Sequence, residues 1–232
     1  LLSRVAKDML PAARVIYNDY DNFRQRLEHI EQTNELLDIL RPLVREVPTD
    51  KKVPNETRAE ILRIFREREQ NGLFVDYITL SGSLLFSGNW ANSYEVFAKH
   101  TLYNRMVATN YNADNYLAGL EIVSKDYREL FAEHKDHENT LFLLDPPYLQ
   151  TDVNAYSGET YWQLKDYLDV LTLLDGTKYI FFTSGKSQII DFCHWINKRF
   201  PDAKLLDGAE ITEQNSRVNE FAAYKDIMIV KL

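Results

Sequence analysis

Helical spacing of apolar residues dominates the first third of the chain. Residues 2–10 (LSRVAKDML) carry a short helical pattern that Pro11 stops, because proline lacks the N–H a helix interior needs. Arg14–Tyr17 reads as a short strand ending in Asn18-Asp19. From Asn22 to Leu40, apolar residues recur at Phe23, Leu27, Ile30, Leu36, Leu37 and Leu40, a roughly helical spacing limited by Pro42. Residues 46–57, with Pro48, Pro54 and a polar run, read as a loop. Arg58–Glu69 follows as a helix with the stripe Ile61, Leu62, Ile64, Phe65, capped by Asn55 or Thr57 and stopped by Asn71-Gly72. Residues 73–110 mix aromatic and small polar residues and give no clean element.

Beyond residue 111 the rhythm becomes regular. Strands are expected at Leu120–Ser124, Thr140–Leu144, Lys178–Ser184, Lys204–Leu206 and Ala222–Val230, and helices at Tyr127–His134, Tyr161–Leu174 and Ser187–Phe200. Alternating units at this spacing predict an α/β fold with a mostly parallel sheet. The runs LFLL and YIFF have the composition of strands buried on both faces. Ligands of such sheets sit beyond the carboxyl ends of the strands. Asp19, Asp126 and Asp145 each fall just after an expected strand, so three carboxylates collect at that edge.

The chain has 232 residues, 45% apolar and 27% charged, which excludes collagen-like, disordered and disulfide-scaffold classes. No run approaches the ~18 consecutive apolar residues of a membrane helix. The single cysteine forms no internal disulfide and suits a reducing cytoplasm, with no membrane association expected. The net charge of −8 is uneven. Residues 51–110 carry eight basic and six acidic groups, whereas 111–232 carry 12 and 20. A polyanion contact is therefore expected in the middle segment.

Asp145-Pro146-Pro147-Tyr148, directly after an apolar strand, is the sharpest chemical signal. Two prolines fix two φ angles and remove two donors, leaving carbonyls to act as acceptors. The Asp carboxylate adds another acceptor and the Tyr ring a stacking surface. Acceptors beside an aromatic plane suit an exocyclic NH₂ on a planar heterocycle. Such an amine is a poor nucleophile because its lone pair delocalises into the ring. Hydrogen bonds from its N–H groups favour a more tetrahedral nitrogen.

These residues resemble those of the Dam-type DNA adenine methyltransferases. Several blocks carry the resemblance: Val15-Ile16-Tyr17-Asn18-Asp19-Tyr20-Asp21, Ser124-Lys125-Asp126-Tyr127, Asp145 to Tyr148, Tyr156, and Phe182-Thr183-Ser184, after which Gly185 stands where the family often has Asn. The resemblance implies a Rossmann-like S-adenosylmethionine-dependent methyltransferase fold. It implies a catalytic domain of residues 1–45 and 111–232, and a mainly helical target-recognition insertion at 46–110. Asp145, Pro146, Pro147 and Tyr148 would be catalytic. Asp19 would hold the cofactor ribose, Asp126 and Tyr127 its adenine, while Tyr156 and Ser184 would meet the substrate. S-adenosylmethionine is the implied cofactor and double-stranded DNA the partner, with no metal. The setting would be DNA methylation of a restriction–modification kind in a bacterial or phage-like cytoplasm. The family's aromatic-Gly-Gly-Lys segment and Phe-x-Gly-x-Gly cofactor loop are not in this sequence. Leu1-Leu2-Ser3 reads like the start of the helix that follows that loop.

Plainer readings stand beside these. Asp19 also fits a turn or helix cap, and Asp126 an N-cap. His134 and His137 fit a solvated helix end, and Cys193 a buried thiol. The arginine row 58, 63, 66, 68 fits a self-paired helix, and the series Phe86, Trp90, Tyr94, Phe97 fits a core. Two competing functions remain open: a non-catalytic DNA-binding protein on the same fold, and a methyltransferase acting on RNA or a protein amide.

Overall fold

The stripe Ile61, Leu62, Phe65 finds its partner in Leu36, Leu37, Leu40 and Val44, and these seven side chains anchor one apolar core. The structure, a computed structural model, describes residues 1–86, 88–147, 162–200, 202–219 and 222–232. The chain divides into two units: Asp19–Gly119, and Leu1–Asn18 with Leu120–Leu232.

The first unit is helical. It contains α2 (Phe23–Glu28), α3 (Ile30–Val44), α4 (Asn55–Gln70), α5 (Tyr77–Leu84) and α6 (Tyr94–Phe97), while α1 (Leu2–Met9) belongs to the other unit. The expected single helix from Asn22 is broken at His29, whose φ of −109° and ψ of 22° end α2 and begin α3. Pro42 does not stop α3, which continues to Val44. Burial of Val44, 2% exposed, offsets the lost bond, and Arg41 ties the last turn to the Val107 and Thr109 carbonyls. Each such fully buried aliphatic side chain stabilises by about 1.5–3 kcal/mol. The unit starts at Asp19 and ends at Gly119, where the sequence reading placed an insertion at 46–110. α3 lies inside it because its apolar face shares a core with α4, α5 and Phe97. Asp76 and Ser93 cap α5 and α6, which the pattern of residues 73–110 had hidden.

The second unit is mixed α/β. β1 (Ile16–Asn18) pairs parallel with β2 (Glu121–Val123). β3 (Phe142–Leu144), β4 (Tyr179–Ser184), β5 (Glu210–Asn219) and β6 (Ala222–Lys231) form a second sheet of order β3-β4-β6-β5. β3 and β4 are parallel, but β6 runs antiparallel to both neighbours. The expectation of a mostly parallel sheet is thus corrected to a mixed one. The expected strand Lys204–Leu206 is a turn, with φ of 45° at Lys204 and 59° at Leu206. The chain becomes extended only at Glu210 and then meets β6, next in sequence, antiparallel. Nor is β4 buried on both faces: Tyr179 and Phe181 are buried while Ile180 and Phe182 are half-buried. α7 (Tyr127–His134) and α8 (Leu164–Leu174) supply Phe131, Val170 and Leu174 to the core over β4 and β6. α9 (Ile189–Arg199) packs Ile189 and Cys193 against Tyr167 and Leu171. Among the described residues no helix is long and apolar enough to cross a membrane.

Candidate active site

Three groups meet the carboxyl edge of β3 and β4. Asp145 follows β3 directly, and Leu144 lies beside Phe181 in the parallel ladder. Ser184 ends β4. Asp226, on the antiparallel β6, stands opposite Ser184 in register. Asp145 is open to solvent. Crowding by the surrounding protein still pushes its carboxyl above the usual carboxylate range, and the charge of Asp226 adds to the rise. No hydrogen bond reaches the Asp145 carboxylate or the Pro146 carbonyl from the described residues.

The next carbonyl is held. The hydroxyl of Tyr167, on the second turn of α8, donates to the Pro147 oxygen. Tyr167 is 3% exposed and packs with Leu171, Ile189 and Cys193. Its ring meets Trp162 edge to face at 5.3 Å, and Trp162 stacks on Tyr127 at 5.3 Å with an interplanar angle of 29°. An aromatic row therefore links the start of α7 to the proline loop. Arg128 adds a clip between the same helices: it reaches Asp166 at 3.3 Å and Asp169 at 2.5 Å while lying over the Tyr127 ring.

The turn between β2 and α7 is fastened from β1. Asn18 donates from Nδ2 to the Lys125 carbonyl at 2.9 Å and accepts from the Lys125 N–H at 3.0 Å. This places Asp126, whose side chain caps α7 by accepting from the Arg128 N–H at 2.8 Å. Tyr127 follows. Its hydroxyl is buried with no hydrogen-bond partner among the described residues, and burial raises its pKa.

Asp19 lies in the helical unit and is 5% exposed. Its two carboxylate oxygens accept the N–H groups of Phe23 at 2.7 Å and Arg24 at 2.9 Å, so it caps α2. Ser184 is fully buried. Its hydroxyl accepts from the Lys186 N–H at 3.0 Å, which fixes the turn after β4. Tyr148 and Tyr156 lie outside the described residues.

The strand unit thus gathers Asp145, Pro146, Pro147 and Ser184 at one edge, with Asp126 and Tyr127 at the head of α7. Asn18, Trp162, Tyr167 and Asp226 were not anticipated as site residues. Asn18 had a visible signal, since its amide stands beside Asp19 at the end of the expected first strand. The other three act through tertiary packing that no local pattern announces.

The arginine row also separates. Arg63 pairs with Glu60 and Glu67, but Arg58 donates to the Ala98 and His100 carbonyls and Arg66 lies over the Tyr94 ring. Phe86 and Trp90, expected in a core, are 57% and 52% exposed, whereas Phe97 is fully buried. The Asn89 N–H donates to the Phe86 carbonyl between the two.

No family model matches the chain. A protein of Haemophilus influenzae named "Putative methyltransferase" is 31% identical to it over 234 residues, a match that covers the whole of this chain and 78% of the relative. At that identity and coverage, the chain belongs to the methyltransferase family of this Haemophilus protein.

Proposed function

We propose that the protein transfers a methyl group from S-adenosylmethionine to the exocyclic N6 amine of adenine in DNA, on a Rossmann-like strand unit. The observation that carries this reading is the division of labour in the proline loop. Tyr167 occupies the Pro147 carbonyl. The Asp145 carboxylate and the Pro146 carbonyl stay without partners among the described residues. Two adjacent acceptors, held by two fixed φ angles, match the two N–H groups of one amine.

When bound, S-adenosylmethionine supplies an electrophilic methyl group on a sulfonium sulfur. The residues assigned to it are Asp19 in the helical unit and Asp126 with Tyr127 in the strand unit. The orphaned Tyr127 hydroxyl fits such a ligand, because a buried donor without a partner costs about 1–3 kcal/mol unless something fills it.

In this reading Asp145 and Pro146 accept from the amine and aim its lone pair at the methyl carbon. Once the methyl group was accepted from the sulfonium donor, which would leave as the neutral thioether, Asp145 would pass the nitrogen's surplus proton to water. Orientation of this kind lowers a barrier by up to about 7–11 kcal/mol. The base must leave the duplex first, at a cost of a few kcal/mol. Tyr148, assigned the stacking role by the resemblance, would recover about 1–3 kcal/mol of that.

The test is transfer of labelled methyl from S-adenosylmethionine to adenine-containing duplex DNA, with RNA and protein amide substrates in parallel arms. Label on adenine N6 of DNA is the expected result. Calorimetric binding of the cofactor without transfer to DNA would overturn the substrate assignment. Absence of cofactor binding would overturn the enzymatic reading.

A further inference from the structure

The helical unit carries a half-open cavity of about 350 Å³, at the lower end of the roughly 300–1,000 Å³ of small-ligand sites. Phe23, Leu27 and Ile30 give it apolar wall, Tyr111 and Tyr116 add aromatic rings, and Arg26 is its cation.

The Arg26 guanidinium is built into place. Its Nε donates to both oxygens of Asp76 at 3.1 and 3.0 Å, and Nη2 donates to the Thr79 hydroxyl at 2.9 Å. The Phe23 ring lies 5.2 Å from the guanidinium carbon. Asp76 is 5% exposed and is further engaged by the Thr79 N–H and hydroxyl, so it cannot turn away. A guanidinium has five N–H donors. Two are used here, and Nη1 has no partner among the described residues. The side chain keeps 28% of its exposure. What remains is a rigid planar donor edge lining a cavity with aromatic walls.

The chemistry of that edge narrows the ligand. Asp76 already neutralises the Arg26 charge, so the site has little net attraction for a phosphate or a carboxylate. An uncharged acceptor pair in the plane of a ring suits it. Among nucleobases, guanine offers this at O6 and N7, the acceptor pair an arginine fork reads most often, whereas adenine places an amine donor beside N7. The 111–116 wall is anchored, because Asn34 and Tyr111 exchange two hydrogen bonds at 2.8 and 2.9 Å.

We propose that this cavity binds a guanine base, with Arg26 donating to its O6/N7 edge and Tyr111 and Tyr116 lining its faces. The base could come from a free nucleoside or from a nucleotide within a strand. The proposal does not rest on methyl transfer, since its readout is binding.

The experiment is titration of the full chain with guanosine, adenosine and 7-deazaguanosine, followed by saturation-transfer NMR and calorimetry. A short single-stranded oligonucleotide, with one guanine or with 7-deazaguanine in its place, forms the second arm. Guanosine is expected to bind at least about tenfold more tightly than adenosine or the deaza analogue, which lacks N7. Preference confined to the oligonucleotide arm assigns the site to a base within a strand; preference in both arms assigns it to the base itself. Arg26→Lys should abolish the preference. Because that change also disturbs Asp76, Tyr111→Leu serves as the second variant: it keeps the backbone bonds to Asn34 and should weaken guanosine severalfold with folding intact. Equal affinity for guanosine and adenosine, or no nucleoside or oligonucleotide binding, would overturn the proposal.

Discussion

The hydroxyl of Tyr167 donates to the carbonyl of Pro147, so a side chain buried under α8 sets the conformation of the loop that presents Asp145. The bond crosses 20 residues of sequence and fixes the second proline from below. Tyr167→Phe keeps the ring, its contact with Trp162 and its volume, and removes only the donor. Such a bond contributes about 0.5–1.5 kcal/mol. The melting temperature of the variant is expected to fall by roughly 2–4 °C per kcal/mol lost in a chain of this size. The methyl-transfer rate constant kcat is expected to fall by about tenfold, with KM for S-adenosylmethionine nearly unchanged. A purely structural tyrosine would lower the melting temperature and leave kcat in place.

Asp145 gives the most direct test of the chemistry. Asp145→Asn keeps the size and one acceptor oxygen but removes the charge. Methyl transfer is expected to drop at least about a hundredfold, the lower end of the range for groups that handle a proton in a transition state. Stability should move the other way. The folded-state carboxyl is held above its ordinary range, so the native protein keeps a proton that the unfolded chain has lost. Native stability therefore falls as pH rises through that window, and the asparagine variant avoids the loss. Denaturant midpoints measured at acidic and neutral pH should show the variant equal or more stable at neutral pH. A variant less stable than the parent there would contradict the electrostatic reading.

Asp226 faces Ser184 across the β4–β6 ladder, and its negative charge raises the Asp145 carboxyl. Asp226→Asn removes that influence, while the crowding remains. The pH at which Asp145 ionises should fall, and the acid limb of the kcat/KM profile should shift to lower pH in the variant. A profile that keeps its position would show that Asp226 acts through the sheet alone.

The helix-forming stripes were readable because they are local. Ile61, Leu62 and Phe65 repeat at helical spacing and lie buried where that spacing puts them. The motif Asp145-Pro146-Pro147 was readable for a similar reason, since strand, carboxylate and prolines are consecutive. Other features depend on partners far away in sequence. His29 breaks a helix whose apolar spacing continues across it. Lys204 and Leu206 look like strand residues but take positive φ values, and nothing in their side chains marks this. Asn18 holds the Lys125 backbone 107 residues away, and Asp226 reaches the site only because β6 inserts beside β4. Asp19 and Asp126 show why a carboxylate after a strand is ambiguous: each caps the helix that follows, whatever else it holds.

Phe86 and Trp90 show the opposite error, since a spacing suited to a core leaves both rings on the surface. Phe86 rests against Tyr103 at 5.4 Å, and Tyr103 bridges the backbone of Lys52. Opposite residues of a bridge put their side chains on one face, so Lys52 shares that face with the aromatic pair. Lys51 and Lys52 are exposed and form no ion pair among the described residues. Cations beside exposed rings suit a polynucleotide, with phosphates at the lysines and bases against the aromatics. Under the proposed function, Phe86→Ala with Trp90→Ala should weaken DNA binding by tenfold or more, at about 1–3 kcal/mol per stacked base. Stability should stay within about 0.5 kcal/mol, because neither ring is buried. Lys51→Ala with Lys52→Ala should instead flatten the dependence of affinity on salt, by up to two units of slope in a logarithmic plot. Both pairs of variants should bind S-adenosylmethionine like the parent, which separates loss of DNA from loss of cofactor. Unchanged DNA affinity in both would move the interface to another face of the protein.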